Sequence, residues 1–86
     1  MPEISRFYGI SIRMYHDDHA RPHFHARYAA AQGVIEIRSL RMIRGTLPPR
    51  VFGLVIEWAS KHQEELLINW GRARRRDTLQ KIAPLE

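Results

Sequence analysis

The chain has 86 residues and a net charge of +5, with 14 lysines and arginines against nine aspartates and glutamates. It contains no cysteine, which excludes a disulfide framework and a cysteine zinc site and fits a reducing cytoplasm. It also lacks a secretory signal pattern and any run near the roughly 20 apolar residues that span a bilayer. We therefore expect one soluble, cytoplasmic domain over residues 1–86, without a membrane partner.

Arginine dominates the basic residues, because Lys61 and Lys81 are the only lysines. Arginine makes forked, two-point contacts with phosphate or carboxylate, which lysine cannot make. This excess of arginine predicts a polyanion or an acidic protein as partner, although the same charge also serves plain solubility.

Residues 1–47 are predicted to form a β-sheet region. Apolar and polar residues alternate over residues 4–15 with the period of a half-buried strand, and Gly9 is expected to mark a bulge or bend. The polar run 16–22 connects this strand to a second one that starts at His23. The later elements are expected to be a hairpin loop at 29–33, a third strand at 34–39 and a short fourth strand at 40–44.

Residues 48–76 are predicted to form one long helix. Apolar residues recur there at intervals of three and four, and a proline pair suits the first turn. Gly53 and Gly71 each weaken a helix interior by about 1 kcal/mol relative to alanine, so any kink is expected near one of them. Residues 77–86 form a tail with apolar side chains that dock on the sheet, namely Leu79, Ile82 and Leu85.

The expected fold is α+β, a three- or four-stranded antiparallel β-meander followed by a long C-terminal helix packed on one face. An antiparallel sheet can leave its other face in water. Strand alternation assigns the following side chains to that wet face: Arg13, Tyr15, His23, His25, Arg27, Glu36 and Arg38. The apolar residues at the helix start cover more than one stripe, which predicts a homodimer through the helix or a second protein there.

Four of the five histidines fall within residues 16–25, beside two adjacent aspartates. The spacing of His23 and His25 on a strand places both imidazoles on one face, roughly 6–7 Å apart at Cβ. In acid–base cleavage of RNA, His25 or His19 would take the ribose 2′-hydroxyl proton, and its partner would protonate the leaving oxygen. The predicted catalytic residues are Asp18, His19, His23 and His25, with Arg13, Arg27 and Arg38 on the phosphate.

Two other interpretations of the histidines stay open. A divalent metal site would use Asp18, His19, His23 and His25 as ligands; without it, no cofactor is expected. In a purely structural interpretation, the aspartates cap a turn, His19 and His23 bond loop carbonyls, and His25 pairs with Glu36 across the hairpin.

The arginine run at residues 72–76 also has two interpretations. Positive charge at the end of a helix suits its dipole and needs no ligand. Alternatively, Arg72, Arg74 and Arg75 contact the phosphates of a nucleic acid or an acidic partner. Nearby, His62 is expected to pair with Glu65 rather than to bind a ligand.

Several blocks of the chain resemble the family called domain of unknown function 4160. They are the start Pro2-Glu3-Ile4-Ser5-Arg6-Phe7-Tyr8-Gly9-Ile10, the block Asp18-His19-Ala20-Arg21-Pro22-His23-Phe24-His25, the pattern Glu57-Trp58, His62, Glu65-Leu66 and Asn69-Trp70, and the ending Ile82-Ala83-Pro84-Leu85. The chain departs from the family where Ala20-Arg21 replaces Asn-Pro and where His16 replaces an aromatic or other residue. His19, His23 and His25 fall on the motif, whereas His16 does not.

The resemblance implies a small bacterial protein with a cognate partner protein encoded nearby. Genes of the family often lie beside those of domain of unknown function 2442, in an arrangement similar to a toxin–antitoxin pair. That second family sometimes carries a DNA-binding helical module, which would make it the antitoxin and this chain the toxin.

Together these observations predict the toxin of a toxin–antitoxin-like module, acting on RNA as a ribonuclease through the wet face of its sheet. The rival prediction is a non-catalytic binding protein, an antitoxin or regulator, that uses the basic surface and the apolar helix face.

Overall fold

A computed structural model describes residues 3–15 and 21–86. These residues form a five-stranded antiparallel sheet followed by two helices, so the α+β class is confirmed, with five strands rather than three or four. The strands follow one another in chain order across the sheet. The elements are β1 (Glu3–Phe7), β2 (Ile10–Arg13), β3 (His23–Tyr28), β4 (Ala31–Glu36), β5 (Met42–Thr46), α1 (Pro49–Lys61) and α2 (Gln63–Arg74).

The segment predicted as one strand over residues 4–15 is instead a hairpin. Tyr8 and Gly9 form its two-residue turn, with φ angles of 51° and 77°. Two consecutive positive φ angles match the right-handed twist of a tight hairpin, which explains a glycine at the second position. Phe7 then lies opposite Ile10 in the register, so these two buried residues share the inner side although they are three positions apart, and the inward parity changes across the turn.

The second hairpin is also tighter than predicted. Its turn is Ala29-Ala30, and Gly33 lies inside β4 rather than in a loop. A Cβ on Gly33 would come within 3.1 Å of the Met42 side chain and 3.2 Å of Leu47, so this glycine permits close packing. The last strand begins two residues later than the predicted start at residue 40.

The core lies between α1 and the face of the sheet that we call the inner face. The Trp58 ring is fully buried there, 5.4 Å from the Phe7 ring and 5.9 Å from the Phe24 ring. The predicted core residues of the sheet are buried with it, except Tyr28, which is 38% exposed. The buried predicted residues are Ile10, Ile12, Met14, Phe24, Ala26, Ile35, Ile37, Val51, Val55, Trp58 and Leu66.

The prediction of one long helix is wrong, because the helix ends at Lys61 and a new one starts at Gln63. His62 leaves the helical region with φ −132° and ψ 23°, and its backbone N–H donates to the carbonyl of Ala59. The break therefore lies at neither predicted glycine. The predicted pair is present, with His62 Nδ1 2.5 Å from Glu65 Oε1.

The apolar excess at the start of α1 is largely taken up within the chain. Phe52, Leu54 and Ile56 are half-buried and pack against the core. The homodimer through this helix stays a prediction.

The tail docks as predicted. The Ile82 N–H donates to the Ile4 carbonyl at 2.8 Å, and the buried Asn69 side chain exchanges two hydrogen bonds with the backbone of Gln80. Leu79 and Leu85 lie partly buried against the core. In the described ranges, neither helix has the length and hydropathy needed to cross a membrane.

Candidate nucleic-acid interface

The face of the sheet that points away from α1, called the outer face, carries rows of polar side chains. One row crosses four strands through the register pairs Arg13–His25, His25–Val34 and Val34–Arg44. Directly opposed residues in antiparallel strands have Cβ atoms about 4.5–5.5 Å apart, so the members of a row are neighbours. The adjacent row contains Arg6, Ser11, Arg27, Gln32 and Thr46.

His25 is the half-buried imidazole of this face. The edge of its ring meets the Tyr15 ring, with the centroids 4.5 Å apart. Burial lowers the pKa of His25 below its usual value of 6.5, and the nearby His23 and Arg44 lower it further. The ring is therefore neutral at pH 7, with a free nitrogen that can accept a proton. Its Nδ1 is buried without a hydrogen-bond partner among residues 3–15 and 21–86.

His23 shares the face with His25, as the alternation predicts, with ring centroids 5.4 Å apart. However, it is only 7% exposed and lies 4.9 Å from the Trp70 ring of α2. Its Nδ1–H donates to the backbone carbonyl of Arg21 at 2.7 Å. Because a carbonyl only accepts, this bond fixes the proton on Nδ1. The expectation that both rings lie open to water therefore holds for His25 alone.

The structural interpretation is correct for His23 and wrong for His25. His23 bonds a loop carbonyl, as that interpretation predicts. Glu36 pairs in register with His23 rather than with His25, and it is bonded by the Ser39 hydroxyl and by Arg21. The Ser39 hydrogen bond is the larger cause of the lowered pKa of Glu36.

The remaining predicted catalytic residues, Asp18 and His19, lie outside the described residues. In the part of the chain that the structure covers, no group of three or more histidines, aspartates or glutamates could hold a metal ion. His23 and His25 supply two imidazoles at most. The metal alternative therefore depends on residues 16–20.

Arg13 and Arg27 of the predicted phosphate contacts lie together on the outer face. They line a depression of about 240 Å³, called the arginine depression, with Arg6, Gly9, Ser11 and Ala29. Arg13 Nε donates to the Ser11 hydroxyl at 3.0 Å, and Ser11 donates to a carboxylate oxygen of Glu3 at 2.5 Å. The hydrogen bonds from Ser11 and then Arg6 hold the pKa of Glu3 below its usual value of 4.5, so its carboxylate stays ionised.

The other predicted arginines lie elsewhere. Arg38 lines a separate depression with Arg21 and Ser39, beyond the end of β4. At the end of α2, Arg72 donates to the Thr78 carbonyl and Arg75 pairs with Asp77. Arg72 and Arg75 therefore support the turn into the tail, and their contact with phosphate stays a prediction. Arg74 is exposed beside them.

Sequence reasoning left out Glu3, Arg6 and Arg44 as site residues. The Tyr8-Gly9 turn was the signal for the first two, because a two-residue turn there places Arg6 opposite Ser11. Predicting Arg44 as a site residue would have required the register of β5, and that strand contains a bulge at Ile43 opposite Val34 and Ile35.

Comparison with known proteins gives one match. The family model described as Domain of unknown function (DUF4160) matches residues 9–71, which include β2 to β5, both histidines of the outer face and most of the helical region. No curated protein and no solved structure matches the chain.

Proposed function

Because the chain belongs to the DUF4160 family, for which the match assigns no activity, we propose its function from its own outer face: it binds and cleaves single-stranded RNA there. The observation that carries the proposal is the row in which His25 stands between Arg13 on β2 and Arg44 two strands away on β5. A neutral imidazole among fixed positive charges suits proton abstraction next to a phosphate.

The proposed reaction uses the 2′-hydroxyl of the RNA as nucleophile. His25 accepts the 2′-hydroxyl proton while the 2′-oxygen forms a bond to the adjacent phosphorus. The bond from phosphorus to the 5′-oxygen breaks, and that oxygen leaves with a proton from water. Arg13 and Arg44 offset the charge that develops on the phosphate oxygens. The products are a 2′,3′-cyclic phosphate and a 5′-hydroxyl end, and the protonated His25 returns its proton to solvent.

Two further features support RNA as the ligand. Open antiparallel sheets bind single strands by stacking bases on aromatic side chains, and the half-buried Tyr15 is the aromatic residue next to His25. The excess of arginine over the whole chain supplies the sequence-independent attraction to phosphates.

The test is cleavage of a labelled single-stranded RNA in a chelator, with detection of the 2′,3′-cyclic phosphate end. His25→Ala is expected to lower the rate by about 10²–10⁴-fold, the usual range for a general base. The control is His62→Gln, which removes an imidazole paired with Glu65 in the helical region. A matched substrate with 2′-deoxyribose at every position should bind without being cut. Equal cleavage by the His25→Ala variant would reject the mechanism.

A non-catalytic RNA-binding protein is the second candidate, and the burial of His23 favours it. With His23 under Trp70, His25 is the accessible imidazole among the described residues of the sheet. RNA binding without any cleavage by the unmodified protein would select this candidate.

We further propose that this activity is exerted in the bacterial cytoplasm as the toxin of a two-protein module. The support is the family resemblance in gene arrangement, and the test is growth of cells that express the chain alone. Growth inhibition that His25→Ala abolishes and a coexpressed neighbouring protein relieves would support it. Inhibition that survives His25→Ala would favour toxicity through binding.

A further inference from the structure

The arginine depression contains a hydrogen-bond network that the RNA proposal does not require. A single carboxylate oxygen, Oε2 of Glu3, accepts from Arg6 Nε at 3.1 Å and from Ser11 Oγ at 2.5 Å, and it lies 2.8 Å from Arg6 Nη2. The Ser11 hydroxyl in turn accepts from Arg13 Nε. One carboxylate and one hydroxyl thereby fix two guanidinium groups by their inner edges.

These bonds orient Arg6 and Arg13 and leave part of their hydrogen-bonding capacity available for a ligand. The bonds to Glu3 and Ser11 use the Nε of both arginines and one Nη of Arg6. No hydrogen bond or ion pair within residues 3–15 and 21–86 uses the Nη groups of Arg13 or any part of the Arg27 side chain. Guanidinium groups held in advance bind phosphate at a smaller entropic cost than mobile ones.

The charge of the depression also points to a particular anion. Among residues 3–15 and 21–86, three guanidinium groups and one ionised carboxylate lie at this depression, which leaves a surplus of two positive charges in that part of the chain. A phosphodiester inside a chain carries one negative charge, whereas a terminal phosphate monoester carries nearly two at pH 7. The volume of about 240 Å³ accommodates a whole phosphate group rather than one edge of it.

We propose that the arginine depression binds a terminal phosphate monoester, and that Glu3 and Ser11 are its positioning residues. In this form the inference rests on the proposed function, because the ligand is then the phosphorylated end of an RNA. Arg27 stands two residues from His25 on β3, roughly 7 Å along the strand. An RNA end held by Arg27 thus directs its neighbouring phosphate toward His25.

The first experiment measures binding of short RNAs with a phosphate at the 5′ end, at the 3′ end or at neither. The unmodified protein is expected to prefer one phosphorylated end by about tenfold, the effect of one charge-assisted hydrogen bond. Arg27→Gln should remove that preference. The matched control is Arg50→Gln, which deletes an exposed arginine that lines a different groove, with Tyr8 and Leu54. Equal affinity for all three RNAs would overturn the proposal.

The second experiment separates positioning from simple charge. If only the surplus charge mattered, Glu3→Ala would raise the affinity for the phosphorylated RNA, because it removes a negative group. If Glu3 positions the arginines, the same variant lowers that affinity. Ser11→Ala leaves the charge unchanged and should also weaken binding, while thermal unfolding verifies that both variants are folded. Tighter binding by Glu3→Ala together with unchanged binding by Ser11→Ala would overturn the positioning role.

Inorganic phosphate and a simple sugar phosphate distinguish this proposal from the function on which it rests. Binding of these small anions that depends on Arg27, with no binding of RNA, would support the phosphate site and reject RNA as the ligand. RNA binding that depends on Arg44 and His25, with no preference for a phosphorylated end, would support RNA as the ligand and reject the phosphate site.

Discussion

The inner and outer faces of the sheet are built from the same strands, but their side chains have different roles. On β3, Phe24 and Ala26 are fully buried against the helical layer, whereas His25 and Arg27 between and beyond them face outward. The inner residues are fixed by packing, so each one is tied to the stability of the whole fold. Apart from the buried His23, the outer residues of the site hold charges and hydrogen bonds and do not pack in the core. Stability and ligand binding should therefore separate cleanly in substitutions.

Trp58→Ala is the strongest test of the inner face. We expect the free energy of unfolding to fall by about 3–5 kcal/mol, because a fully buried indole is removed from between two aromatic rings. Its Nε1–H bond to the Ala83 carbonyl is lost as well. Urea denaturation measures the change. The control is Ile68→Ala, which truncates a side chain that is 53% exposed and should change stability by about 0.5 kcal/mol or less.

Asn69→Ala tests a buried polar residue of α2 that bonds the C-terminal tail. Asn69 is buried, donates to the Gln80 carbonyl at 2.8 Å and accepts from the Gln80 N–H at 2.9 Å. Its loss should cost about 1–3 kcal/mol and loosen the tail. Hydrogen exchange at the amide of Ile82 should become faster than in Thr78→Ala, a variant of an exposed tail position. Unchanged exchange would show that Asn69 does not hold the tail.

The pH dependence of stability tests His25, a titratable residue of the outer face that is half-buried. Because the folded protein lowers the pKa of His25 below 6.5, the unfolded chain binds more protons than the folded one as the pH falls past that value. The contribution of His25 to stability is full above pH 6.5 and is lost as the pH falls toward its folded pKa. His25→Gln should flatten the decline in this window, while Gln32→Ala, a change at an exposed residue that does not titrate, should preserve it. The measurement is denaturation at a series of pH values, and an unchanged slope in His25→Gln would refute the assignment.

Arg44→Gln should have the smallest effect on stability and a clear one on binding. The side chain is exposed, so the free energy of unfolding should change by about 0.5 kcal/mol or less. The slope of log affinity for RNA against log salt concentration should decrease by about 1, because one phosphate contact is removed. The pKa of His25 should rise toward its usual value, since Arg44 contributes to lowering it, and a proton NMR titration would detect the shift. A loss of stability larger than that of Asn69→Ala would break the separation of the two faces.

The alternation of residues was enough to assign the two faces, because side-chain direction in a strand depends on parity alone. Arg13, His25 and Arg27 lie on the outer face as predicted, and Ile12 and Phe24 on the inner one. Parity does not carry across a two-residue turn, because Phe7 and Ile10 lie three positions apart and yet share one face. With residues 4–15 taken as one strand, Arg6 has the same parity as the inner residues, so it was not recognised as a neighbour of Ser11.

The environment of His23 could not follow from local sequence. Its ring is covered by Trp70, a residue 47 positions later in the second helix, which starts after the break at His62. The break itself replaces a helical residue with one in an irregular conformation, and no proline or glycine at that position announces it. Contacts between distant segments therefore decided which of the two imidazoles remained accessible.

Glu3 is hydrogen-bonded both to residues of the first hairpin and to the C-terminal tail. Its carboxylate holds Arg6 and Ser11, while its backbone carbonyl accepts a bond from Lys81 Nζ, and the Ile4 carbonyl beside it accepts from Ile82. Closing a loop of this length is an entropically costly step that proceeds only when much of the remaining structure is in place. On the ribosome, the bonds from Lys81 and Ile82 to β1 can form only after the segment around residues 80–82 has emerged. The hairpin of β1 and β2, whose hydrogen bonds are local, can form before those last bonds attach the tail to it.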